Sequence, residues 1–357
     1  MISLNVRNVN DGLSVALSTL FTLGSERPSR NGPVLAFSEP VATTYSHPTE
    51  RVLFSPLRNA NPTFHLMEAL WMIAGRNDVA FPATFVKNMR NYSDDDKTFW
   101  GAYGYRWRNF FGWDQIAAAI TELRTNPQSR RVVVSMWNGM GMNEARGNGP
   151  SWIDAHDPDF IVGQTGGKDV PCNTHIYFDR RDGNLNMTVC CRSNDIIWGC
   201  YGANAVHMSF LQEYMAAAID CPVGWYTQIS NDLHMYLNNT SVEKARALSR
   251  EAWEVNGYRR GWVTPTPLLS GEEIIEDLAD DIETMFFVFD KNKSVHAILD
   301  ESYETRFMYG TVVPMLQAWL YRKTPASAEE ACSRIQGLDW KAAMFQWVGG
   351  VQAGLAK

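Results

Sequence analysis

Residues 170–199 read VPCNTHIYFDRRDGNLNMTVCCRSNDIIWG. Two runs rich in β-forming residues, 175–178 and 185–191, flank Asp182-Gly183. Asp-Gly between such runs is a strong short-range hairpin signal. Folding about a turn centred there sets Cys172 opposite Arg192 and Ser193, with Asp195 just beyond. A thiol beside a fixed cation has a lowered pKa and a larger nucleophilic thiolate fraction. An Arg and a Ser side by side hold an anion such as phosphate. The competing reading is a buried structural cysteine; Pro171 before it and the charged pair opposite favour chemistry.

The 357-residue chain suffices for one large domain or two small ones, and its 45% hydrophobic content suits a globular core. A formal net charge of −7 argues against general nucleic-acid binding, which needs a basic surface, yet allows a local arginine cluster around one phosphate. The six cysteines form no CxxC pair and no zinc-ligand spacing with His, so no metal is expected. Adjacent Cys190 and Cys191 on a strand point to opposite faces. The N-terminus carries no signal-peptide pattern, which reads as a reducing cytoplasm. No apolar run approaches the roughly 18–20 residues that span a bilayer, so no membrane association is expected.

Taken in order, apolar spacing predicts a helix over 4–23 that stops at Gly24. Ser29-Arg30-Asn31-Gly32 is a loop before a β-prone run, 34–37. Residues 61–74 form an amphipathic pattern ended by Gly75, with Glu68 inside the apolar run. A carboxylate in that position is paired, solvated in a cleft or protonated. The stretch 91–111 is rich in aromatics. A helix over 113–125, a turn over 126–131 and a strand over 132–137 follow. Residues 139–168 hold seven glycines and read as a long loop, a lid over a cleft being one use for it. A helix over 204–218 comes next. Asp232-x-His234-x-Tyr236 then puts His234 and Tyr236 on one strand face. Beyond 267 the pattern predicts helices over 272–288 and 328–338, and another over 300–320 interrupted near Gly310 and Pro314.

Four of these features, in order, resemble thymidylate synthases and their hydroxymethylase relatives: Ser129-Arg130-Arg131, Pro171-Cys172, Arg192-Ser193-x-Asp195, and Asp232-x-His234-x-Tyr236. The similarity runs from about residue 30 to about residue 236. It implies an α/β (α+β) fold on a large, mostly antiparallel sheet flanked by helices, with the back face of the sheet as a homodimer interface. Residues 1–266 would be the catalytic domain and 267–357 a divergent helical extension.

The resemblance also implies roles. Cys172 would be the nucleophile that adds to C6 of a deoxypyrimidine monophosphate. Glu68, in Glu68-Ala69-Leu70-Trp71, would manage protons through water. Tyr103 would neighbour the thiol. Arg30, Arg192 and Ser193 would hold the 5′-phosphate, with Arg27 close enough to take the place of Arg30. Arg130 and Arg131 would reach the partner subunit's phosphate. His234 and Tyr236 would hold the sugar 3′-hydroxyl. Asp195 would serve the chemistry and hold the pterin of the co-substrate, 5,10-methylenetetrahydrofolate, and Tyr92 would lie beside it.

The family places an Asn before the helix at 204 to read the pyrimidine edge. Counting forward from Arg192 reaches Ala203; counting back from His234 reaches Asn204. One extra residue in the turn at 199–203 reconciles the two and assigns the reader to Asn204. An amide that donates and accepts suits uracil, whereas dCMP-specific relatives carry Asp there. Hydride from the folate would leave a methyl group, and water a hydroxymethyl group. The closing tail of thymidylate synthase is not recognisable at 352–357, so dUMP hydroxymethylation is the expectation. Thymidylate synthase proper and dCMP hydroxymethylase are the alternatives. Two other classes stay open: a Cys-His hydrolase and a non-catalytic nucleotide-binding module.

Overall fold

The computed structural model describes residues 1–139 and 158–353. Among them run ten strands: β1 (Ile2–Val6), β2 (Ser25–Arg27), β3 (Val34–Ala36), β4 (Val41–Tyr45), β5 (Val133–Ser135), β6 (Asn173–Arg181), β7 (Asn184–Cys191), β8 (Asn194–Asp195), β9 (Val223–Ser230) and β10 (Leu233–Tyr236). Six form one sheet in the order β1-β4-β9-β7-β6-β5, and four a smaller one, β2-β3-β10-β8. In the large sheet β4–β9, β7–β6 and β6–β5 are antiparallel, while β1–β4 and β9–β7 are parallel. The sheet is therefore mixed, with antiparallel pairings in the majority.

The Asp182-Gly183 hairpin forms, and its strands are longer than the β-formers alone mark. Arg181 pairs with Asn184 across a two-residue turn. Both turn residues have positive φ, 51° and 81°, the twist that matches the flanking strands. Parallel β7 and β9 need a crossover, which the helix Ala205–Ala218 supplies. That helix is buried around most of its circumference and packs on β7, β9 and the helix Pro62–Ile73.

The first predicted helix is corrected. Residues 2–6 alternate and pair with β4 as an edge strand; the helix begins at Val9. Asn8 enforces the break, its side chain accepting from the amides of Asn10 and Asp11 as an N-cap. Asn61 caps Pro62–Ile73 in the same way through the amide of Phe64.

The predicted loop at 139–168 is corrected at its far end, where Asp159–Gln164 is helical; residues 140–157, where a lid would fall, lie outside the described residues. The predicted helix over 300–320 forms only from its second half. Buried Asp281 accepts from the amides of Glu304 and Thr305 and from the Thr305 hydroxyl, holding that segment out of helix, and Val313–Tyr321 follows a wide turn at Met308–Val312. The run at 328–338 spans the end of Pro325–Arg334 and the start of Leu338–Gln352. These late helices join the main core: Phe286 and Phe289 pack on Phe81 with ring centroids 4.8 and 4.9 Å away, and Thr63 on the helix of Glu68 donates to Met344 Sδ at 3.2 Å.

Candidate active site

Cys172 stands just before β6, directly across the hairpin from Arg192, whose amide donates to the Cys172 carbonyl at 2.8 Å. Arg192 curls back over the thiol. Its Nε donates to the Pro171 carbonyl at 2.9 Å and its Nη2 to the Val170 carbonyl at 3.0 Å, leaving Nη2 3.8 Å from Cys172 Sγ. From the other side Tyr103 Oη accepts from the amides of Cys172 and Asn173 at 3.3 and 3.4 Å. Tyr103 can stand there because its helix, Tyr103–Arg108, crosses the backbone at Met72. A Cβ on Gly104 would lie 2.0 Å from the Met72 carbonyl oxygen, so only glycine permits the approach.

The expectation of a lowered thiol pKa is corrected. Burial pushes the half-buried Cys172 thiol up, and the attraction of Arg192 and Arg30 only partly offsets it. Asp169 works against them. This carboxyl, three residues before Cys172, accepts from the Gly101 amide at 2.8 Å, and burial raises its pKa to about 6. At neutral pH its negative charge disfavours a thiolate nearby.

Asp195 sits on β8, which runs parallel to β10 with Asp195 beside His234. It accepts from the Trp198 amide. Burial raises its pKa, opposed by His234 and Arg58. His234 and Tyr236 share a face with ring centroids 4.8 Å apart, and His234 Nδ1 lies 3.2 Å from Asp232 Oδ1. Arg27 pairs with Asp232 at 2.5 Å, whereas Arg30 lies in the Ser29–Gly32 turn, near enough for its charge to act on the Cys172 thiol. Ser193 follows Arg192, and its carbonyl accepts from Cys191 Sγ at 3.0 Å.

Asn204 ends a wide, π-helical turn, Ile196–Asn204, that leaves helical geometry at Tyr201 and Gly202. Such turns are how a helix absorbs one extra residue. Asn204 is buried, and its Nδ2 donates to Asn194 Oδ1 at 3.1 Å, which fixes the amide and keeps Oδ1 for a ligand's donor. Glu68 projects from Pro62–Ile73 toward the helix that begins after Asn204, where its Oε2 lies 3.1 Å from His207 Nε2.

Three further expected residues lie apart from this cluster, two of them, Arg130 and Arg131, being those expected at the partner subunit's site. Arg130 and Arg131 line a separate surface depression with Asn126 and Gln128, Arg131 Nη2 lying 3.4 Å from Glu122. Tyr92 closes a short helical turn and is exposed.

Several neighbours carry no motif of their own. His207 follows Asn204 by three residues, one helical turn, and that spacing was the available signal. Arg58 donates from Nε to the Ile197 carbonyl at 2.8 Å and stacks 4.1 Å over Trp198. Arg106 and Asp159 form a fully buried bidentate pair at 2.7 and 2.8 Å, to which Trp100 Nε1 adds a bond of 2.7 Å. Among the described residues no group of three or more His, Cys, Asp or Glu has metal-binding proximity, and no helix is long and apolar enough to cross a membrane.

The arrangement brings together a thiol, a guanidinium, a hydrogen-bonded side-chain amide and carboxylates. A sequence profile of the family described as Thymidylate synthase matches residues 16–257. The chain is 39% identical to the deoxyuridylate hydroxymethyltransferase of Pseudomonas phage M6, over 97% of this chain and 93% of that protein. It is 34% identical to the deoxyuridylate hydroxymethyltransferase of Bacillus phage SP01 over 62% of this chain and 56% of the relative. It is 30% identical to a thymidylate synthase of Francisella philomiragia over 52% of this chain and 64% of the relative.

Proposed function

The chain belongs to the thymidylate synthase family, and we propose that it is a deoxyuridylate hydroxymethyltransferase, joining a one-carbon unit to C5 of dUMP and completing the reaction with water. The observation that carries the choice is the extent of similarity to the phage M6 protein. At 97% of the chain it reaches past residue 257, where the family profile ends, into the C-terminal helices.

In this reading Arg30, Arg192 and Ser193 hold the 5′-phosphate, and His234 with Tyr236 holds the 3′-hydroxyl. Asn204 accepts from N3–H of uracil through Oδ1 and donates to O4 through the Nδ2 hydrogen that Asn194 does not take. These contacts fix C6 over Cys172 Sγ, so that addition is effectively intramolecular. Tyr103 steadies the backbone beneath the sulfur. Addition makes C5 a carbon nucleophile. Glu68 passes protons at O4 and C5.

The co-substrate, 5,10-methylenetetrahydrofolate, supplies an electrophilic one-carbon unit. The residues suit it: a planar pterin needs an acceptor for its N–H edge and a flat wall, which Asp195 and the Trp198–Arg58 stack would provide. We read the active form as a homodimer with Arg130 and Arg131 directed to the partner's phosphate. The exposed Tyr177 and Val133 on the large sheet support this.

The product decides the matter. The protein is incubated with 5,10-methylenetetrahydrofolate and either dUMP or dCMP, and the nucleotide is weighed by mass spectrometry. Gain of a hydroxymethyl group on dUMP is the expected result. A methyl gain returns the chain to thymidylate synthase chemistry, and reaction of dCMP instead overturns the assignment of Asn204.

A further inference from the structure

His207 has no part in the mechanism above. It is buried on the first turn of Ala205–Ala218, and among the described residues no group completes a hydrogen bond with its Nε2. Yet that nitrogen lies 3.1 Å from Glu68 Oε2, close enough to bond but off the ring's donor line. Leaving a buried polar atom unsatisfied costs about 1–3 kcal/mol, so a site that keeps one needs a third body to complete the contact. His65 closes the far side, edge-on with its centroid 6.4 Å away. Burial, helped by Arg58 and His207, lowers the His65 pKa and favours its neutral ring, while the carboxylate beside His207 is Glu68. Asn204 immediately precedes the helix Ala205–Ala218 and His207 follows Asn204 by three residues, about one turn, which puts the pair next to Asn204 and so next to the base edge in the reading above.

We propose that His207 is a positioning residue that, with Glu68, aims one water at the methylene carbon on C5 and thereby commits the intermediate to water. The inference rests on the hydroxymethylation reading above. After loss of the folate the base carries an exocyclic methylene conjugated with C4=O and is still bonded at C6 to Cys172. The water oxygen bonds to the methylene carbon, the π electrons move to O4 as an enolate, and the water proton passes to Glu68. The enolate then reforms C4=O, C5=C6 closes, and the C6–S bond breaks to return Cys172 thiolate. Hydride transfer would need no base at this point; capture by water needs a carboxylate fixed toward the water.

The test measures partition of the methylene intermediate, using 2-mercaptoethanol as a competing trap. Its thiolate adds to the same carbon without a protein base, giving a thioether nucleotide instead of the hydroxymethyl nucleotide. Wild type, His207→Leu and His207→Gln are compared, with the covalent complex formed on 5-fluoro-dUMP and methylenetetrahydrofolate as a check on folding and earlier steps. His207→Leu is expected to form that complex and to raise the thioether-to-hydroxymethyl ratio about tenfold or more, the scale on which second-sphere partners act. His207→Gln, which restores an N–H donor, is expected to return the ratio to within about threefold of wild type. An unchanged ratio in His207→Leu overturns the inference, as does an equal rise in His207→Gln. A His207→Leu protein that forms no complex also overturns it, since the residue would then serve an earlier step or the fold. A wild-type protein that makes thymidylate overturns the underlying function instead, and so is told apart from these outcomes.

Discussion

Replacing Arg192 by Gln removes a charge 3.8 Å from Cys172 Sγ while keeping a side chain that can bond the Val170 or Pro171 carbonyl. Coulomb's law at that separation gives about 1 kcal/mol in water and about 4 kcal/mol at the effective dielectric of a protein surface. At 1.36 kcal/mol per pKa unit, the thiol pKa should rise by about 1–3. The gain in thiolate nucleophilicity with basicity returns a little under half of the logarithmic loss, so alkylation near neutral pH should slow by about 3–40-fold. The assay is carbamidomethylation by iodoacetamide against pH, with the Cys172 peptide quantified by mass; this separates it from the half-buried Cys190 and Cys221. Equal rates and an equal midpoint in Arg192→Gln would refute the argument that the guanidinium is felt at the sulfur. A faster rate would show that bracing the loop matters more than the charge.

Three further variants are decided by the same geometry. Asp169 has its pKa raised in the fold to about 6, so the folded state binds more protons than the unfolded between about pH 4 and 6; stability falls as pH rises through that window, and Asp169→Asn should flatten the slope and add up to about 3 kcal/mol near neutrality in chemical denaturation. The same variant should speed Cys172 alkylation, opposite to Arg192→Gln. Asn204→Asp should shift the kcat/KM ratio of dCMP to dUMP upward by about 30–150-fold, from a charge-assisted bond gained with the cytosine amine and the donor to uracil O4 lost, worth about 2–3 kcal/mol together; an unmoved ratio would remove Asn204 as the reader. Asp159→Ala should cost about 3–5 kcal/mol, because it strands the buried Arg106 charge; a loss under 1 kcal/mol, by urea titration, would show that water reaches the pair.

What the sequence disclosed was what lies close along the chain. A two-residue turn fixes register, so counting outward from Asp182-Gly183 carried Cys172 to Arg192 and Ser193; an irregularity between Asn173 and His175 shifts the pairing by one and makes Arg192 the residue opposite, a step no count along the chain contains. His234 and Tyr236 share a face because strand side chains alternate. The same counting missed the balance of forces on the thiol, since desolvation depends on what covers Cys172 and the cover comes from several separate segments. Glu68 meeting His207 and Arg106 meeting Asp159 join distant segments, with no periodicity to announce either pair. The parallel pairing of β7 with β9 was equally illegible, because strand composition does not encode direction. The strand at 2–6 was lost to a helical reading for a different reason: the apolar spacing runs through Asn8, and only its capping chemistry marks where one period gives way to the other.

The Arg106–Asp159 pair does more than fill the interior. The Asp159 amide donates to the Asn138 carbonyl at 3.0 Å, and the Asn138 amide to Asp159 Oδ2 at 2.8 Å. The chain leaving at 138 and the chain returning at 159 are therefore stapled together at one point, on the same guanidinium whose helix carries Tyr103. Once a loop's ends are pinned, the entropy of closing it grows only logarithmically, about 0.6 kcal/mol for each doubling of length. The staple thus fixes where the chain departs and where it returns, independently of the sequence that joins the two points. A change of length between residues 138 and 159 would therefore be absorbed on the far side of the staple, and the tyrosine beside the thiol would keep its place.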